Sequence, residues 1–293
     1  MRRMKNSYVV LVFLVSISQG LFAQNLLDKL NDEPQSVDNY TMSTFKGTHI
    51  SIGHSVETRK KNTLEISVMT RYWNVENSSG QSFIADRMCS RVGLDYGISD
   101  RLTIGFGSGN PNGIVDTYLK YRLLRQTDDN RNPFSISLLQ TATYRTRFLN
   151  NIESRGSTGD KFAFTSQALI ARKFTRDFSL QISPTFIHRT SSRSALDDHN
   201  HFAVGFGGRY KLSNHVSLVS EYYYVANKLE SRQTYGAFVL GANWEVSKLL
   251  LQFKMTNNPI FSEDTFIVQT FNNFNFDDGN FFFGFHATYH LQL

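Results

Sequence analysis

Three clusters in this chain hold residue types that do chemistry. His54-Ser55, with Glu57 two residues on, offers the parts of a nucleophilic hydrolase. That chemistry needs a base within hydrogen-bond reach of the hydroxyl and a third group to orient the base. Adjacent residues of an extended segment point to opposite sides, so His54 cannot serve Ser55. His286 and His290 share one face of a strand in the last run, but no serine at fixed spacing is singled out as their nucleophile. Asp197-Asp198-His199-Asn200-His201 packs metal-ligand residue types into a single stretch. Metal sites usually draw ligands from several elements, so a solvated loop is expected there. Gly205, Gly207 and Gly208 have no helix after them, and no phosphate-cradling loop is implied. The expectation is therefore no catalysis, no metal and no cofactor.

A larger set of charges falls on one face of runs whose other face is apolar. It comprises Glu65, Arg71, Arg91, Asp95, Asp116, Lys120, Arg122, Arg145, Lys173, Arg189, Arg209, Lys211, Glu221, Glu245 and Lys254, with His286 and His290 in the last run. Basic residues outnumber acidic ones about two to one. Facing a lumen, such a set can pair across a narrow, self-filled interior. It can also lower the barrier for anions, as a ring of Arg and Lys does in a pore.

The runs that must carry these residues alternate with period two, the mark of strands with two unlike faces. In Phe281–Leu293, Phe281, Phe283, Phe285, Ala287, Tyr289 and Leu291 oppose Phe282, Gly284, His286, Thr288 and His290, and the alternation continues to the last residue. Similar runs begin with Leu64, Ile66, Val68 and Tyr72 against Glu65, Ser67 and Arg71, and continue through 88–97, 102–106, 115–124, 134–148, 162–174, 178–188, 202–212, 216–226, 235–246 and 249–255. Very short connections, such as Ser99-Asp100 and Ser247-Lys248, alternate with long polar ones at 74–86, 149–161, 190–200 and 257–280, the last also rich in aromatics. Outer-membrane barrels combine short periplasmic turns with longer outside loops. Two connections fit less well: 127–133 is long for a turn and 108–113 short for a loop. The fold expected is all-β, a closed antiparallel up-and-down transmembrane β-barrel of about twelve strands over 63–293, with 281–293 pairing back onto 64–72.

The start of the chain agrees with export. Arg2, Arg3 and Lys5 precede an apolar stretch, Val9 to Phe22, with Ala23 at the expected cut, so 1–23 reads as a cleaved signal peptide. Removing those three cations from the formal charge of +6 leaves +3, which gives no reason to invoke nucleic acid. Beyond Ala23 no apolar run approaches the ~20 residues of a helical span, and only helices and closed barrels satisfy their own backbone in lipid. Twenty-five Phe and thirteen Tyr suit aromatic girdles at two interfaces. Cys89 is the one cysteine and can form no intrachain disulfide. Residues 24–62 form an N-terminal periplasmic segment with a short amphipathic turn at Leu26, Leu27 and Leu30. Its later part, around Phe45, Gly53, His54, Ser55 and Glu57, either plugs the lumen or pads its mouth.

Several stretches resemble a known family. Phe45-Lys46-Gly47-Thr48 with Gly53-His54-Ser55-Val56-Glu57-Thr58, the hairpin Arg91-Val92-Gly93-Leu94-Asp95-Tyr96-Gly97-Ile98-Ser99-Asp100-Arg101-Leu102, and Tyr118-Leu119-Lys120-Tyr121-Arg122-Leu123-Leu124-Arg125-Gln126 are similar to an uncharacterised outer-membrane barrel family, domain of unknown function 5777, frequent in Bacteroidetes. The resemblance implies a Gram-negative outer membrane, surrounding lipid and the barrel-assembly machinery during biogenesis, and almost nothing about substrate. Such barrels often end in an aromatic residue, whereas this chain ends in Leu293. The function expected is a monomeric, porin-like channel or binding barrel for a small solute, with anionic solutes favoured by the basic excess. A lipid hydrolase and a structural, partner-docking barrel are the alternatives.

Overall fold

The protein is described by a computed structural model covering residues 39–75, 85–110, 113–146, 158–192, 194–275 and 281–293. The expected signal peptide, 1–23, and the helical turn at Leu26–Leu30 lie outside the described residues.

Twelve strands close into one barrel. They are β1 Thr63–Trp73, β2 Arg87–Ser99, β3 Leu102–Gly109, β4 Ile114–Leu124, β5 Ser135–Arg145, β6 Phe162–Lys173, β7 Phe178–Arg189, β8 Asn200–Lys211, β9 Val216–Val225, β10 Phe238–Val246, β11 Leu249–Thr256 and β12 Phe282–Gln292. Each pairs antiparallel with its neighbours in sequence, and β12 returns to β1 in a register running from Thr63 opposite Gln292 to Tyr72 opposite Phe283. Closure leaves no unpaired edge for another chain to add to. The alternation read from the sequence is the alternation observed. Along β1 the inward Glu65, Ser67, Met69 and Arg71 are buried, while Val68 faces outward and is exposed. Val92, Leu94, Ile104, Phe106, Leu119, Ile182, Phe206 and Phe253 continue the outward apolar band around the barrel.

The ends of the barrel differ. The tight turn between β10 and β11 is made by Ser247-Lys248, with Ser247 at a φ of 56°. The unexpectedly long 127–133 connection has a partner: Tyr40 pairs with Thr127, and Thr41 Oγ1 donates to Asp128 at 2.7 Å. This turn receives the chain that precedes β1.

Two expectations are corrected. The run expected over 235–246 becomes strand only from Phe238, because the Tyr235 amide bonds the carbonyl of Thr270 in the next connection. That connection, 257–280, reads in sequence as a polar outside loop. Its described first part instead folds inward, and carries a one-and-a-half-turn helix, α1 Glu263–Val268, with Phe266, Ile267 and Val268 at 1 % exposure or less. An apolar Phe-Ile-Val run in water loses its hydrophobic stabilisation, and the barrel interior is the nearest place to bury it.

Candidate functional site: a lumen filled from both ends

Residues 44–57 run inside the barrel as a hairpin. Its arms are joined where His49 bridges His54, with the Ile50 amide bonding Gly53 O at 3.0 Å and the Ser55 amide bonding Thr48 O at 2.9 Å. The tip needs Gly53. A Cβ there would stand 1.7 Å from Tyr223 Oη and 2.7 Å from Glu221 Oε2.

The wall holds this hairpin from many strands at once. Thr48 Oγ1 lies 2.9 Å from Glu65 on β1 and 2.9 Å from Asp95 on β2. Lys120 on β4 donates to the carbonyls of Thr48, Ser55 and Glu57 at 2.8, 2.9 and 3.2 Å. Ser137 on β5 donates to Val56 O, and the Val56 amide donates to Gln181 on β7. Glu221 on β9 accepts the amides of Ile52 and Gly53 at 2.8 and 2.9 Å. From β11, Gln252 donates to Ile50 O and Lys254 to Ser51 O. A segment hydrogen-bonded to seven strands around the circumference occupies the barrel axis. Below the tip, Glu57 accepts the Thr44 amide and pairs with Arg122 at 2.9 Å, while Lys46 pairs with Glu245 at 2.9 Å near the short turns.

The second insert comes from the long-loop end. Asp264 pairs with Arg145 of β5 and lies 3.7 Å from Arg189 of β7. Burial alone would raise the Asp264 pKa, but Arg145 and then Arg189 outweigh it and hold the carboxyl below its ordinary range. Phe266 packs edge-on against Tyr223 with ring centroids 5.3 Å apart. Each insert nucleates an apolar core inside the barrel. Phe45, Ile50 and Val56 pack with Tyr118, Leu139, Leu169, Ala171 and Val219. Phe266, Ile267 and Val268 pack with Ile52, Ile187, Tyr223, Val225 and Val239.

The inserts meet where His54 Nε2 lies 3.1 Å from Glu263 Oε1. Burial, then the charges of Lys120 and Arg91, keeps the His54 pKa well below its ordinary value. His49 is lowered likewise, by burial and then by His54 and Lys120. Burial, then the charge of Asp116, pushes Glu263 up to about 8.

The structure brings most of the expected lumen residues together. Arg91 pairs with Asp116, and Arg71 and Lys254 flank Gly284 across β1, β12 and β11. His286 Nδ1 lies 2.5 Å from Gln252 Oε1 and its Nε2 3.0 Å from Thr288 Oγ1. His290 approaches Glu65 at 3.3 Å and is a quarter exposed. Arg209 and Lys211 stand apart near the short turns, donating to Ser217 and Asn214. Ser55 Oγ donates to Gly47 O at 2.5 Å, so Ser55 and His54 serve different partners. The residues of 197–201 are divided as well: Asp197 accepts from Ser231, His199 meets Arg189 O, and His201 meets Asn227 O.

Sequence reasoning missed Glu263 and Asp264, and it missed the inward Leu139, Leu169 and Val219. The signal for the first pair was the acidic doublet ahead of Thr265-Phe266-Ile267-Val268, in a loop too apolar for its assigned place. The inward leucines share their faces with polar residues, Ser137 and Thr141 beside Leu139 on β5 and Thr165 and Gln167 beside Leu169 on β6, so alternation points them inward but a search for charged lining residues passes over them.

A solved structure shares this architecture. An outer membrane channel from Pseudomonas putida F1 is 14 % identical, with a TM-score of 0.50 over 80 % of this chain and 98 % of the other. The KdgM porin is 7 % identical, with a TM-score of 0.47 over 78 % of this chain and 98 % of the other. At such identities the likeness concerns the fold alone. No curated protein sequence matches the chain significantly. The membrane bound beta barrel domain DUF5777 matches residues 45–291. That match runs from the start of the hairpin to the twelfth strand, and the chain belongs to the DUF5777 family of membrane-bound β-barrels.

Proposed function

We propose that this protein is an exported, monomeric outer-membrane barrel that passes small anionic solutes when its N-terminal hairpin leaves the lumen, and that it catalyses no reaction. The observation that carries this reading is how the wall cations are satisfied. Lys120 and Lys254 are buried and donate to backbone carbonyls of the hairpin rather than to carboxylates. Withdrawing the hairpin leaves these ammonium groups lining the water-filled space it vacates beside the second insert, and basic linings favour anions. With the hairpin seated, the path is closed.

Planar-bilayer recording tests this. The full-length protein should be nearly silent, and a chain lacking 44–57 should conduct with anion preference in its reversal potential. A silent or cation-selective deletion variant overturns the reading. Because the hairpin contributes to the interior core, K120M/K254M, which removes two anchors and keeps the segment, serves as a second variant and should open more often than the wild type.

A structural, partner-docking barrel is the second reading, favoured by the tight fill. The cavity between the two inserts measures only ≈ 10 Å3. Silence in both variants would support it. A lipid hydrolase finds less support, since Ser55 bonds the Gly47 carbonyl and the hydroxyl that reaches His286, that of Thr288, is buried with it inside the filled lumen.

A further inference from the structure

The cavity between the inserts is lined by Arg71, Arg91, Asp116, Phe261 and Glu263, with His49 and His54 from the hairpin. Arg71 is its unusual wall. The side chain is 1 % exposed, yet among the described residues it has no carboxylate within ion-pair distance. Its Nη1 donates to the adjacent Thr70 O at 3.1 Å, its guanidinium lies 4.9 Å from the Phe261 ring, and its Nε has no partner. A buried charge lacking a counter-charge is costly, and proteins normally pair it.

The surroundings make the imbalance worse. Lys254, also buried, lies beside Arg71 across Gly284, where even a Cβ would come 2.7 Å from Lys254 Cγ and 2.9 Å from Arg71 Nη1. The nearby carboxylates are engaged: Asp116 with Arg91, and Glu221 with two amides and Tyr223 Oη. Glu263, with its pKa pushed up to about 8, is protonated at neutral pH and faces His54. Arg71 is left without a carboxylate of its own.

We propose that this cavity binds one small monovalent inorganic anion, a halide such as chloride, with Arg71 as its principal ligand. The size agrees, because ≈ 10 Å3 is room for an occupant of about one water molecule. An organic carboxylate does not fit. The anion acts as a fixed counter-charge that joins the barrel wall to both inserts, and it is bound whether or not the barrel ever conducts.

The test is thermal unfolding of the refolded full-length protein at equal ionic strength in sodium chloride, bromide or gluconate. Anything that binds only the folded state raises its stability by mass action. Chloride and bromide should raise the midpoint by several degrees in a saturable way relative to gluconate. R71Q should lose that rise, and R209Q, an inward arginine away from the cavity, should keep it. Equal midpoints in chloride and gluconate overturn the proposal, as does a full rise in R71Q. Should R71Q fail to fold, crystals of the wild type grown in bromide decide the matter. An anomalous peak beside Arg71 is expected, and its absence overturns the site. The readout is stability and position, so it is independent of whether the hairpin gates a channel.

Discussion

Glu263 and His54 stand 3.1 Å apart at the point where two inserts, entering from opposite ends of one barrel, touch. With the Glu263 pKa raised and the His54 pKa lowered, this contact is a neutral carboxylic acid donating to a neutral imidazole rather than an ion pair. Two buried groups that both avoid charge satisfy one hydrogen bond without the desolvation cost of two ions.

That protonation state gives a pH dependence with a definite sign. Glu263 titrates near 4.5 when unfolded and at about 8 in the fold, so the folded state holds the extra proton between those values. Its contribution is fully present below 4.5 and is lost as pH rises to about 8. His54, lowered from 6.5, adds no slope of its own above that value. E263Q keeps a donor for His54 and removes the titration. Urea midpoints should show the wild type losing ground to E263Q steadily from pH 6.5 to 8. Parallel curves would show that Glu263 is ionised in the fold.

Asp264 anchors the inner helix by facing Arg145 and Arg189 with a side chain that is almost fully buried. D264N leaves the two guanidinium groups without their carboxylate. Breaking a buried pair from one side costs about 3–5 kcal/mol, and reversible unfolding in urea should report a loss of that order. A loss under about 1 kcal/mol, the size of an exposed pair, would place this helix in water.

Gly53 lets the hairpin tip press against Tyr223 and Glu221. G53A forces one of them to move, and overpacking of this kind costs about 1–3 kcal/mol. Hydrogen exchange should accelerate at the amides of Ile52, Gly53 and Val56, which are bonded to the wall. Adding Y223F removes the nearest clashing atom and should recover part of the protection. Unchanged exchange in G53A would mean the tip is not seated there.

Val68 sits midway along β1 on the outer face, between the buried Ser67 and Met69. V68R places a charge in hydrocarbon at a cost of about 2–4 kcal/mol near the bilayer midplane. Folding free energies in phospholipid vesicles should show that loss. A neutral result would move the apolar band away from β1.

The barrel itself is written in local order along the chain. Period-two alternation from Leu64 to Leu291 assigns each strand residue a side, and neighbouring strands of an antiparallel sheet then fix closure and register. For that reason Arg71, Lys120, Lys254 and His286 are legible as inward residues from alternation alone. The resemblance carried by Phe45–Thr58 and Arg91–Leu102 located the family for the same local reason. The contents of the lumen follow a different rule. Whether 44–57 plugs or pads, and whether Glu263–Val268 faces water or the interior, depends on partners more than a hundred residues away, such as Glu221 for Gly53 and Arg145 for Asp264. Local periodicity carries no information about such contacts, so only the folded chain settles them. Nor could it show that Arg71 would be buried beside Lys254 with the nearby carboxylates engaged elsewhere, because that arrangement exists only once twelve strands and two inserts share one interior.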